Sequence, residues 1–197
     1  MPVTIRPLEE NDAEALFPLI YRSTVTETLL YNGPSCVDDW RRVVADRAAK
    51  TKMGAVAGFA IIEPEDGRPA GTVVVRPNPN GFRADIGIWL GIAFQGKGYG
   101  TVALRLAVEH GFRKMGLSKL EALVFTGNVA SRRVFEKNGF CLEGTIRRGA
   151  CKLGEYRDEW MFGLLDEEFS QLAQTANSAS RRLACSAAGS LAPLDVT

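Results

Sequence analysis

Between Ala84 and Leu90 the chain alternates: Ala84, Ile86, Ile88 and Leu90 fall on one face of a strand, and Asp85, Gly87 and Trp89 on the other. The second face is a candidate wall of an active site. Ten residues separate this strand from a change of period, and Leu104, Ala107, Val108, Gly111, Phe112 and Met115 recur as the core-facing stripe of a helix over residues 101–115. Arg105, Glu109 and Arg113 lie outside at four-residue spacing, and Gly116 is placed to end the helix. Upstream, residues 3–6 predict a short strand. Asn11 is the predicted cap of a helix that carries Ala15, Leu16, Leu19 and Ile20, with Pro18 against the pattern. Trp40, Val43, Val44 and Ala48 predict a second helix over 37–49, and residues 24–35 read as irregular. Residues 55–63 and 70–76 read as antiparallel strands joined at Glu65-Asp66-Gly67. Residues 119–125 predict another strand, 129–138 a helix closed by Gly139, and 141–148 with 156–164 a final antiparallel pair. The expected class is mixed α/β.

The segment joining the alternating strand to the long helix reads Gln95-Gly96-Lys97-Gly98-Tyr99-Gly100-Thr101. Three glycines let a backbone curl closely around an anion, and the unpaired amides of the following helix point at it. This is a phosphate cradle. A nucleotide-triphosphate loop is nearly completed from Gly91 to Lys97, but Gly98 stands where Mg²⁺ needs Ser or Thr. A dinucleotide fingerprint fails as well, because Thr101 occupies the place of its third glycine.

The pattern Gln-x-x-Gly-x-Gly instead resembles the GNAT superfamily of acetyl-CoA-dependent N-acetyltransferases. Four further stretches agree in order: 85–90, Asn128-Val129-Ala130-Ser131, Lys137-Asn138-Gly139-Phe140 and 154–158. Together they resemble the branch that contains ribosomal-protein N-terminal acetyltransferases. The resemblance implies a single mixed, mostly antiparallel sheet in which strands 84–90 and 119–125 are parallel and splay apart. The pantetheine arm would enter that gap and pair with backbone near Trp89, Leu90 and Ile92. Amides from Gln95, Gly96, Lys97, Gly98, Tyr99, Gly100 and Thr101 would hold the pyrophosphate, with Asn128 and Ser131 facing the thiol arm. An amide near Leu90 would stabilise the oxyanion.

For proton transfer, Asp85 is the first candidate base, acting through water where many relatives carry Glu; a structural ion pair is its other reading. Ser131 is the candidate to stabilise the leaving thiolate, or to cap its helix. Two positions depart from the family: Phe135 replaces the usual Tyr acid, and Ala150 a Glu found in some relatives. The implied acceptor is a primary amine, first a protein N-terminal α-amine; a polyamine, amino acid or aminoglycoside is the alternative. A non-catalytic acyl-CoA sensor is the rival from another class. Trp89 and Tyr156 suit either an acceptor pocket or the core. His110 reads as packed or solvated, and Cys141 as a buried structural thiol.

Composition narrows these readings. With 197 residues and 46% hydrophobic content the chain can bury one core, expected over residues 1–170. Residues 171–197, rich in Ala and Ser, are expected to be a disordered or loosely docked tail. A formal charge of +1 gives no field for nucleic acid or an anionic membrane. Four scattered cysteines and a start without an export signal predict the cytoplasm, and no metal is expected. The oligomeric state stays open, a homodimer included.

Overall fold

The computed structural model of the chain describes residues 2–172 and 174. Seven strands form one sheet: β1 (Thr4–Pro7), β2 (Ala57–Ile62), β3 (Pro69–Pro77), β4 (Arg83–Leu90), β5 (Lys119–Phe125), β6 (Cys141–Lys152) and β7 (Glu155–Leu165). Helices α1 (Asp12–Ile20), α2 (Val37–Lys52), α3 (Tyr99–Arg113) and α4 (Val129–Glu136) accompany them, and residues 166–172 are helical as well. Spatial order is β1-β2-β3-β4-β5-β7-β6. The β4–β5 pair is parallel and all others are antiparallel.

The alternation in β4 sorts the two faces of the sheet. Ala84, Ile86 and Leu90 join Ala103, Leu104, Ala107, Val108 and Phe112 of α3 in the larger core. On the other face Trp40 and Val44 of α2 pack with Leu16 and Ile20 of α1 and with the edge of Trp89. β3 and β4 meet closely at Gly71, where a Cβ would stand 2.1 Å from the Trp89 carbonyl oxygen, so only glycine lets the strands meet there.

The N-terminal helix departs from expectation. Asn11 is already in helical conformation and its side chain caps nothing. Asp12, the first helical residue, instead holds the preceding chain, accepting from the Glu9 amide at 2.8 Å and from the Arg6 guanidinium at 2.6 and 2.9 Å. Ala13 is buried and Ala15 exposed, so the buried stripe is Ala13, Leu16 and Ile20. Pro18 lies within the helix but on its exposed side, where the carbonyl it leaves unpaired can reach water. Residues 24–35 also hold a short 3-10 helix, Thr24–Thr28. Residue 173 and residues 175–197, most of the expected tail, lie outside the described residues.

The sheet opens in one place. β4 and β5 share only three register pairs, Arg83↔Lys119, Ala84↔Leu120 and Asp85↔Glu121. Beyond Glu121, β5 stays with β7 as far as Phe125↔Glu159, while β4 stays with β3 as far as Leu90↔Gly71. The strands therefore part, leaving a notch that opens toward the turn at Gln95.

Candidate active site

Backbone hydrogen bonds define what the glycine turn can offer. The Gln95 amide donates to the Ile92 carbonyl at 3.1 Å, and the amides of Thr101 and Val102 donate to the Gly98 carbonyl at 3.1 and 3.2 Å. Among the described residues, the amides of Gly96, Lys97, Gly98, Tyr99 and Gly100 have no protein partner. The donor set is thus narrower than expected, because Gln95 and Thr101 close the turn at either end. Gly96 and Gly98 have φ of 75° and 81°, the left-handed conformation that side chains resist. Gly100 is helical and buried; a Cβ there would meet Leu90 and Val134, so it seats α3 against β4 and α4. The ammonium of Lys97 lies 6.0 Å from the Phe94 ring centre and 5.9 Å from that of Tyr99. Asn138 ties the start of α3 to the end of α4, donating to the carbonyls of Thr101 at 3.2 Å and Val134 at 2.8 Å.

The notch is lined by backbone. The Gly91 amide donates to the Ala70 carbonyl at 2.9 Å, which fixes the phase of the β3–β4 ladder. By the alternation of an antiparallel pair, Trp89 and Gly87 turn their peptide groups to β3, and Ile88 and Leu90 turn theirs to the opposite edge. At that edge β5 has already departed. The Leu90 carbonyl accepts from the Gln95 side-chain amide at 3.0 Å, so Gln95 ties the strand end to the turn. The Leu90 amide faces the notch. Trp89 thereby corrects an expectation: its backbone belongs to the β3 ladder, and only its ring can serve the site. Ile92 is exposed at the mouth.

Asp85 and Arg76 stand directly across β3 and β4, and the guanidinium donates to the carboxylate through Nε at 2.8 Å and also through Nη2. Asp85 is 39% exposed, so the ion-pair reading is the one realised. A second carboxylate on the same face escaped the residue pattern. Glu159 is 6% exposed, its carboxylate makes no hydrogen bond or ion pair among the described residues, and it is paired in register with Phe125 beside the open part of the notch. Burial, and next the charge of Asp85, raise its pKa above the usual carboxylate value. A Cβ on Gly149 would come within 2.6 Å of its Oε2, so Gly149 leaves room for this carboxylate beside Ala150.

Asn128 caps α4, its Oδ1 accepting from the Ser131 amide at 3.1 Å. Ser131 is half-buried, and its hydroxyl makes no hydrogen bond among the described residues. Phe135 is buried against Phe140 and Phe162 and faces the core. Cys141 contradicts its expected burial: it is exposed, on an edge strand, at the level of Gly163 and Glu121 near the closed end of the notch. His110 stands edge-on to Phe59 with ring centres 4.9 Å apart, and burial lowers its pKa. Tyr156 is exposed.

A pocket of about 460 Å³ adjoins the open end of the notch, lined among others by Glu27, Phe125, Asn128, Lys152 and Arg157. Lys152, though 8% exposed, donates to the Leu29 carbonyl at 2.6 Å, the Tyr31 carbonyl at 3.3 Å and Asn32 Oδ1 at 3.0 Å. It fastens the segment after α1 over the end of β6. Among the described residues, no three or more His, Cys, Asp or Glu side chains are grouped to hold a metal. No helix among them is long and apolar enough to cross a membrane.

Known proteins resemble this chain in sequence and in fold. A family model described as an acetyltransferase (GNAT) domain matches residues 3–141. "Putative ribosomal N-acetyltransferase YdaF" of Bacillus subtilis is 32% identical over 179 residues, covering 85% of this chain and 93% of its own. L-amino acid N-acetyltransferase AaaT of Escherichia coli is 28% identical over 164 residues, covering 80% of this chain and 94% of its own. Among solved structures, RimL, a ribosomal L7/L12 alpha-N-protein acetyltransferase in complex with coenzyme A, superposes with a TM-score of 0.75 at 22% identity. That match covers 83% of this chain and 93% of RimL, and it is a likeness of fold. With its glycine turn, its parted parallel strands and these relatives, the chain belongs to the GNAT family of N-acetyltransferases.

Proposed function

We propose that this acetyltransferase moves an acetyl group from acetyl-CoA directly to an α-amine, and that a protein N-terminus is the first candidate acceptor. The observation that carries the reading is the run of five unpartnered amides, Gly96 to Gly100, opening α3 at the mouth of the notch. Such a run suits a pyrophosphate. The unpaired edge of β4 at Ile88 and Leu90 suits an arm that carries its own amides, and the Leu90 amide suits an oxyanion.

The remaining roles follow from what each side chain already touches. Ser131 keeps a free hydroxyl near the cap of α4 and is assigned to donate to the departing thiolate. Asp85 is committed to Arg76, so the base is assigned to Glu159, acting through water. An N-terminal amine with a pKa near about 8 needs only such modest help. Direct transfer is favoured over an acetyl-cysteine because Cys141 sits away from the open end of the notch.

A panel of N-terminal peptides, amino acids and polyamines is incubated with acetyl-CoA and followed by thiol release and mass spectrometry. Acetylated product with an α-amine is expected. Binding of acetyl-CoA without turnover of any amine would favour a sensor, and failure of acetyl-CoA to raise the melting temperature would count against the cofactor assignment.

A second reading, a free amino acid as the acceptor, is favoured by the environment of Arg47, a half-buried guanidinium with no hydrogen bond or ion pair among the described residues.

A further inference from the structure

What Arg47 faces bears on the acceptor, and the inference rests on the acetyl-transfer reading above. Arg47 projects from α2 onto the face of the sheet that also carries Asp85, Trp89 and Glu159. Its stem lies over β2, with Cγ 3.2 Å and Cδ 3.5 Å from where a Cβ on Gly58 would be. Gly58, Val74 and Gly87 are successive register partners across β2, β3 and β4. Arg76 covers the same rung, its Nη2 3.0 Å from where a Cβ on Gly87 would be. Two arginine side chains thus cross a rung bearing two glycines, one position from the Trp89 ring along that face.

Their charges differ in one respect. Arg76 is matched by Asp85. Arg47 makes no hydrogen bond or ion pair with its guanidinium among the described residues, although it is half-buried. Its neighbour Asp46 is committed to Lys50 at 2.7 Å. Burial, and next the like charge of Arg76, lower the Arg47 pKa. A half-buried cation without a protein partner is better satisfied when an anion from outside completes it. The planar fork of a guanidinium matches a carboxylate through two parallel hydrogen bonds.

The rest of this face is consistent with one kind of visitor. Tyr31 stacks on Trp40 at 6.2 Å, and Trp40 meets the edge of Trp89 at 6.2 Å, so aromatic rings border the place. Across the sheet the charges run Arg47, Arg76, Asp85, Glu159, positive to negative, with only the middle two paired to each other. An acceptor that brings an anion together with its amine can complete the unpaired guanidinium. We propose that the acceptor bears a carboxylate as well as its amine, and that Arg47 receives that carboxylate.

Matched acceptors test this. One arm compares free amino acids with their amides, in which the carboxylate is gone. The other compares N-terminal peptides whose second residue is Asp with those having Asn. In at least one arm the acid is expected to exceed its neutral partner in kcat/KM by about 10- to 150-fold, and that arm names the source of the carboxylate. Arg47→Gln is expected to bring the acid down to the level of its neutral partner, with Arg47→Lys between them. Because the guanidinium holds no bond, Arg47→Gln should melt no lower than the parent, and an acetyl-CoA-induced rise in melting reports that the variant is folded. Turnover without preference in both arms, or a preference that survives Arg47→Gln, overturns the inference and leaves acetyl transfer standing. Absence of turnover with every amine overturns both.

Discussion

Replacing Glu159 by Gln is expected to lower kcat/KM by about 10²- to 10⁴-fold, the usual range for a positioned general base. Gln keeps the shape and loses the proton acceptor. The raised pKa of Glu159, caused first by burial and then by Asp85, puts a limb in the pH profile: activity climbs as pH rises through the folded-state pKa. That limb should vanish in the variant, while a second one from the acceptor amine, near about pH 8 for an N-terminus, should remain. Stability should move the opposite way. A carboxyl whose pKa is higher in the folded chain holds its proton more tightly there, so its stabilising contribution is complete below the unfolded pKa and is lost as pH rises through the folded one. Glu159→Gln should therefore melt above the parent at neutral and alkaline pH and match it in acid. A variant with parental kcat/KM and an unchanged profile would remove Glu159 from the mechanism and return the base to Asp85 or to solvent.

A valine at Gly98 is expected to weaken acetyl-CoA binding by about 10- to 150-fold, the value of one amide hydrogen bond to a charged group. Gly98 has φ of 81°, with open space around a built Cβ. The penalty is therefore conformational, about 1–3 kcal/mol for a branched side chain held left-handed. The turn can escape it only by rotating the peptides that aim the Gly98 and Tyr99 amides. Gly67, at φ 69° in the turn between β2 and β3 and equally open, supplies the control. Valine there should cost similar stability and leave acetyl-CoA affinity intact. Equal affinity losses at both positions would mean that general destabilisation, rather than the turn, is being read.

Local patterns carried most of the fold. Period-two alternation located β4 and assigned its two faces, because neighbouring side chains on a strand must point apart. The glycine spacing located the turn, since left-handed backbone has a compositional signature. Charged groups were harder to read. Glu159 lies between Asp158 and Trp160 in an ordinary run of strand residues, and its burial follows from β7 inserting between β5 and β6. Arg47 resembles any solvent-facing arginine of a helix until α2 is seen lying over Gly58. Asp85 was found, but its partner depends on the register that sets Arg76 opposite it. Cys141 reads as a buried thiol because it begins a strand with no base near it in sequence; that strand is an edge, with one side open to solvent. Asn11 suits a cap by type, yet its backbone is already helical and its side chain caps nothing. In each case the missing information is which strand or helix lies alongside, a property of topology.

In the proposed mode of binding the turn before α3 holds the pyrophosphate and the parted strands admit the arm. A crystal structure with coenzyme A bound tests it most directly. Pyrophosphate oxygens are expected about 3 Å from amides among Gly96 to Gly100, with arm amides paired to the free edge of β4 at Ile88 and Leu90. A pyrophosphate bound elsewhere, with those amides still facing water and β4 and β5 closed along their length, would contradict it.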